Sequence, residues 1–167
     1  MRRLVLFSTV VVPLLLGWAA PAHAAGTWTW PVAGPVVRGF DPPDDPYGSG
    51  HRGIDIAAPA GSPVVAADAG TVTFAGRVGG ELFVSVRHAA GLATTYAWLS
   101  SVDVSRDQTV LRGQEIARSG GGHPGSVEPS HLHLGAKLDG SYIDPLLFLA
   151  PMSVAGMIRL APLIPAA

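Results

Sequence analysis

Two histidines lie two residues apart in the run Ser130-His131-Leu132-His133-Leu134-Gly135, and leucines fill the alternate positions. Side chains of a strand alternate between its faces, so His131 and His133 share one face and Leu132 and Leu134 the other. The alternation continues through Ala136 and Leu138, which favours strand over helix. Two imidazoles on one face can bind a metal, or bind it and move protons beside it. The plainer reading is a pair of polar residues facing solvent. Upstream, His51-Arg52-Gly53-Ile54-Asp55 offers a third imidazole and a carboxylate. A catalytic zinc centre uses three N or O ligands and keeps one position for water. His51, Asp55 and His133 would make that set, with one Zn2+ per chain, and leave His131 for acid–base catalysis. Taken alone, Asp55 could equally cap a turn, and His51 could sit on the surface.

These residues need a frame that brings positions 51–55 and 131–133 together. Gly (21) and Pro (15) are abundant and punctuate short apolar runs without a collagen period. That spacing predicts many short strands joined by tight Gly/Pro turns, hence an all-β antiparallel sandwich or barrel. The expected strands are Val36–Arg38, Pro63–Ala66, Gly70–Ala75, Leu82–Arg87, Ala93–Leu99, Gln114–Arg118 and His131–Leu138. No amphipathic helix or long repeat is evident in the body. The stretch Asp41 to Gly50, with three prolines and three aspartates, is a loop by every turn signal. It delivers the chain to His51, either as a substrate-facing wall or as a solvated surface.

Met1-Arg2-Arg3, an apolar run from Leu4 to Ala20, and Ala22-His23-Ala24 form the pattern of a secretory leader cleaved after about Ala24. An uncleaved membrane anchor is the competing reading. The expected organisation is a leader over 1–24, a β domain over 25–150 and an apolar, Pro-broken tail over 151–167. In the tail, 153–160 could form a short helix. The protein is expected to be secreted or extracytoplasmic, to meet the membrane only in transit and to act as a monomer. Without the leader, nine Lys+Arg (eleven less Arg2 and Arg3) face twelve Asp+Glu, a charge of about −3. With no basic stripe, nucleic acid is not an expected partner. The absence of cysteine excludes thiolate metal sites, thiol nucleophiles and disulfides.

From about Trp30 to Leu149 the chain resembles the lysostaphin-like zinc endopeptidases, the family-23 metallopeptidases of bacterial cell walls. The matching runs are His51-Arg52-Gly53-Ile54-Asp55-Ile56-Ala57-Ala58-Pro59, Gly61-Ser62-Pro63-Val64-Val65-Ala66-Ala67, Gly70-Thr71-Val72 and Phe74-Ala75-Gly76. Further along come Thr95-Tyr96-Ala97, Leu111-Arg112-Gly113-Gln114-Glu115-Ile116, Ser130-His131-Leu132-His133 and Asp144-Pro145-Leu146. The resemblance implies an antiparallel β-sandwich or half-barrel of the duplicated hybrid-motif type, with the site in a groove. It implies metal ligands at His51, Asp55 and His133, a catalytic histidine at His131, and peptidoglycan peptides as substrate.

One position departs from the family pattern. Its members usually carry a second catalytic histidine two residues after the tyrosine that matches Tyr96; here the run is Tyr96-Ala97-Trp98-Leu99. An indole N–H only donates, so Trp98 is an oxyanion donor, a packing group or a stacking surface. His123, in Gly120-Gly121-Gly122-His123-Pro124-Gly125, and His88, before a turn, are the other histidines of the body. His123 is either drawn toward the site or a loop tip; His88 is expected to be a hydrogen-bonded turn residue. Arg52 is expected to pair with Asp41, Asp44 or Asp45, and Tyr96 to pack in the core.

Three functions compete. The first is a secreted zinc metalloendopeptidase acting on peptidoglycan. The second is a non-catalytic peptidoglycan-binding or hydrolase-activating module of the same fold, for which Trp98 speaks. The third is a carrier domain of the biotinyl or lipoyl type, which needs a lysine at a hairpin tip; the one lysine, Lys137, lies on the His-x-His strand.

Overall fold

The computed structural model describes residues 27–45, 48–123 and 129–149. The expected leader, the tail and the short helix over 153–160 lie outside them. Ten strands follow one another: β1 Val36–Arg38, β2 Ile54–Ala57, β3 Pro63–Val65, β4 Gly70–Val78, β5 Glu81–Arg87, β6 Leu92–Val102, β7 Thr109–Val110, β8 Glu115–Ser119, β9 His131–Leu138 and β10 Ser141–Ile143. All their pairings are antiparallel, in the order β1-β2-β9-β6-β5-β4-β7, with β10 beside β9, β8 beside β6, and β3 beside β8. The all-β antiparallel expectation holds. The described residues contain one short 3-10 turn, Pro145–Leu147, started by the Asp144 side chain accepting the Leu146 N–H at 2.9 Å. No helix among them is long and apolar enough to cross a membrane.

Local chemistry sets the hairpins. Gly79-Gly80 and Asp139-Gly140 each join paired strand ends, Val78 with Glu81 and Leu138 with Ser141. All four residues have positive φ, as a two-residue turn matched to strand twist requires. The core gathers Ile54 and Ile56 of β2, Val84 and Val86 of β5, Tyr96 and Leu99 of β6, Ile116 of β8, and Leu132 and Leu134 of β9. Trp28, at the start of the described residues, is fully buried: its backbone N–H donates to the Phe148 carbonyl, and its ring lies 5.0 Å from Phe148 and 5.5 Å from His88.

The eleven-residue β6 is the spine. On one edge it pairs with β9 as far as Ala97↔His133; beyond Trp98 it pairs with β8, from Leu99↔Ser119. Opposite β5 the register also slips there, Phe83 facing Ala97 and Leu82 facing Leu99. Trp98 is thus the extra residue of a β-bulge, a device that ends one pairing and re-aims a side chain. Its φ of 62° is left-handed, uncommon for a residue of this bulk.

Candidate functional site

Strand β9 presents His131 and His133 as its alternation demands, with Leu132 and Leu134 fully buried behind. Strand β2, which sequence reading left within a Gly/Pro-rich segment, lies against β9 in the register Ile54↔Leu134, Asp55↔His133, Ile56↔Leu132. Ile-Asp-Ile therefore mirrors Leu-His-Leu: apolar residues face the core and polar residues meet on the other side. His51 is fixed just before β2 by a two-bond bridge, Asp41 N–H to the His51 carbonyl at 2.9 Å and His51 N–H to the Asp41 carbonyl at 2.6 Å. Gly53 lets these elements close up: a Cβ there would lie 2.3 Å from the Leu134 carbonyl oxygen and 2.9 Å from the His133 ring.

His51, Asp55 and His133 converge. His51 Nε2 is 3.0 Å from both Asp55 Oδ1 and His133 Nδ1, and His133 Nδ1 is 2.8 Å from Asp55 Oδ1. The His51 Nδ1–H donates to the Gly39 carbonyl at 2.6 Å, so a neutral His51 turns the lone pair of Nε2 inward. At most one proton, on His133 Nδ1, then lies among three acceptor-capable atoms. Such a cluster invites a cation. A tetrahedral ion with bonds of about 2.0–2.1 Å holds its donors about 3.3 Å apart, a few tenths of an ångström from these spacings. The residues present fit a divalent metal of the zinc type.

The electrostatics agree. Burial alone would push the Asp55 carboxyl up; with the imidazoles protonated, hydrogen bonds from His133 and His51 and their charge outweigh it and hold Asp55 well below the usual carboxylate range. Burial likewise opposes charge on His51, but the Asp55 hydrogen bond, the Gly39 carbonyl and the Asp55 charge raise its pKa above the ordinary value.

His131 stands beside this trio, fully buried. Its Nδ1–H donates to the Pro129 carbonyl at 2.8 Å, which leaves a lone pair on Nε2. That atom is 3.8 Å from Asp55 Oδ2, and neither atom has a hydrogen-bond partner among the described residues. Two buried acceptors that lack a donor mark a place for an exchangeable group such as a water.

His51 and His133 line a cavity of about 240 Å3 together with Arg52, Phe83, Ala97, Trp98 and His123, while Asp55 is buried behind them. Ala97, directly opposite His133, keeps this cavity clear by being small. Arg52 donates to the Gly48 carbonyl at 3.2 Å and also borders a neighbouring hollow of about 480 Å3 with Asp44, Asp45 and Tyr142. His88 lies away from the site: it is buried, bonded to the Ala69 carbonyl and to Thr94, as a structural turn histidine should be. Tyr96 is a core residue, its hydroxyl accepting the Ala67 N–H at 2.7 Å; burial pushes that phenol up to about 12.

Similarity to known proteins follows this geometry. Residues 49–145 match the family described as Peptidase family M23. An uncharacterised protein of Mycobacterium tuberculosis is 38% identical over 97% of this chain and 66% of its own length. DD-carboxypeptidase/endopeptidase Mpg of Neisseria meningitidis is 42% identical over 60% of this chain and 23% of its own. The structure of the antimicrobial peptidase lysostaphin from Staphylococcus simulans matches with a TM-score of 0.66 and 27% identity, covering 87% of this chain and 62% of that one. The chain therefore spans about two thirds, or less, of the length of these relatives. The stretch that matches the family holds the whole His51–Asp55–His133 cluster and the strands that build it, and on that match and its lysostaphin-like fold the chain belongs to peptidase family M23.

Proposed function

We propose that the protein is an extracytoplasmic zinc metalloendopeptidase that hydrolyses peptide bonds of peptidoglycan stems or cross-bridges. His51, Asp55 and His133 would hold one zinc, and His131 is the general base. One observation carries this reading: three inward donor atoms within 3.0 Å of one another, beside a buried imidazole whose lone pair lacks a partner among the described residues, at a cavity lined by His51 and His133. Mpg is a carboxypeptidase and endopeptidase and lysostaphin an antimicrobial peptidase, which favours a peptide substrate here as well. A leader ending near Ala24 would carry the enzyme out of the cell.

The bound metal would polarise the scissile carbonyl and lower the pKa of water toward neutrality. His131 Nε2, its tautomer fixed by Pro129, accepts the proton of the attacking water as the oxygen–carbon bond forms. It returns that proton to the amide nitrogen as the carbon–nitrogen bond breaks, leaving a carboxylic acid and an amine, and the acid's proton then passes to the amine to give carboxylate and ammonium. Asp55 stays ionised throughout, and Gly39 keeps the His51 ring in place.

Trp98 favours a second reading, a module of the same fold that binds peptidoglycan without cutting it. Incubation with purified peptidoglycan, with and without zinc, separates the two. Release of new amino groups that needs zinc and is lost in His131→Ala, with zinc content unchanged, supports the peptidase. Retention on peptidoglycan with one zinc per chain and no release supports the module.

A further inference from the structure

Hydrolysis at this site needs more than a base. As water attacks, the carbonyl oxygen gains charge, and an N–H aimed at it is worth a large share of the barrier. Arg52, Trp98 and His123 all carry N–H groups and line the cavity.

The geometry points to His123. Resting on the peptidase reading, we propose that His123 is a catalytic residue, whose ring N–H holds the carbonyl oxygen of the peptide being cut. Its ring stands between two others, 5.5 Å edge-on from His131 and 5.9 Å from Trp98. A ring nitrogen of His123, one of His131 and a carboxylate oxygen of Asp55 lie within 4.8 Å of one another, which sets His123 beside the two residues whose Nε2 and Oδ2 have no hydrogen-bond partner among the described residues. The indole sits on the far side, against Phe83 at 5.5 Å, as a wall behind the imidazole.

The loop is built onto the site at two points. The Gly120 N–H donates to the Trp98 carbonyl at 2.8 Å, which ties the loop's first residue to the bulge. Gly122 lies flat on the base: a Cβ there would meet His131 Cε1 at 2.4 Å and both ring nitrogens within 2.8 Å, and its φ is +86°. A side chain at 122 would displace His131, so glycine there seats the loop against the imidazole and brings His123 with it.

The test compares His123→Ala, His123→Gln and Trp98→Phe in the zinc-loaded protein. Two readouts are used besides zinc content: turnover of peptidoglycan, and affinity for a phosphinate dipeptide that mimics the tetrahedral adduct. His123→Ala is expected to lower kcat and phosphinate affinity about 100- to 1,000-fold with KM and bound zinc little changed. His123→Gln, which restores an N–H, should recover part of both, and Trp98→Phe should cost less than tenfold. Phosphinate affinity and rate within threefold of wild type in His123→Ala overturn the assignment, as does a larger loss in Trp98→Phe. No phosphinate binding by the wild type overturns it too. A protein that cuts nothing yet binds the phosphinate through His123 would refute the peptidase reading and uphold the contact.

Discussion

Substituting Gly53 by Ala tests what sets the spacing of the three converging atoms. The added methyl would lie 2.3 Å from the Leu134 carbonyl oxygen and 2.9 Å from His133 Cε1 and Nε2, whereas Cβ atoms do not approach others closer than about 3.0 Å. The Leu134 oxygen must retreat by about 0.7 Å, carrying β9 away from β2. Asp55 and His133 face each other across that seam, and metal ligands tolerate about 0.2 Å. Zinc affinity should fall ten- to a hundredfold, the loss typical when a group that orients a ligand is removed, and the fold should lose about 1–3 kcal/mol to the overlap. Chelator competition measures the first, and urea melts of the metal-free protein the second. Gly121→Ala is the control: nothing lies within 4 Å of its Cβ, so it should stay within about 0.5 kcal/mol of wild type. Unchanged zinc affinity in Gly53→Ala would refute the claim that this close approach positions His133.

Two pH effects accompany it. His51 must lose its proton to ligate, and its pKa lies above the ordinary 6.5. Zinc affinity should therefore weaken as pH falls through that raised value, while Asp55, ionised well below it, contributes no competing proton; calorimetry in buffers of different ionisation enthalpy counts the protons released. Tyr96 ionises in the unfolded chain near pH 10 but only at about 12 in the fold. Its contribution is whole below the lower value and is lost as pH rises toward the upper one. Tyr96→Phe should abolish this alkaline loss yet cost about 1–3 kcal/mol near pH 8, because the Ala67 N–H loses its partner; urea melts at both ends of the range read it.

The strand bearing His131 and His133 was legible because its alternation is long and clean, and its predicted bounds match those observed. Strand β2 was missed although Ile54-Asp55-Ile56 repeats the same alternation, since four residues between Gly and Pro give period-2 arguments little to hold. Strands β7 and β10, of two and three residues, exist only through their partners. Strand β6 runs on to Val102, beyond the expected Leu99, because β8 takes over where β9 leaves. That exchange, and the left-handed Trp98 that marks it, depends on which strand arrives from elsewhere. The seat of His123 depends on it as well, through Gly120 and the Trp98 carbonyl. Arg52, expected to pair with an aspartate, donates to the Gly48 carbonyl and borders one hollow with Asp44 and Asp45.

The pairing of β2 with β9 also bears on how the protein would check its own assembly. A strand slipped by one residue exchanges its two faces. In such a mispaired chain Leu132 and Leu134 would face Asp55, and both imidazoles would enter the core. Side chains that divide so cleanly between faces leave no intermediate arrangement with a partial site. Zinc would then add its binding energy to the correctly paired chain alone, so capture of the ion would proofread the sheet and report, in the same event, that folding had ended in register.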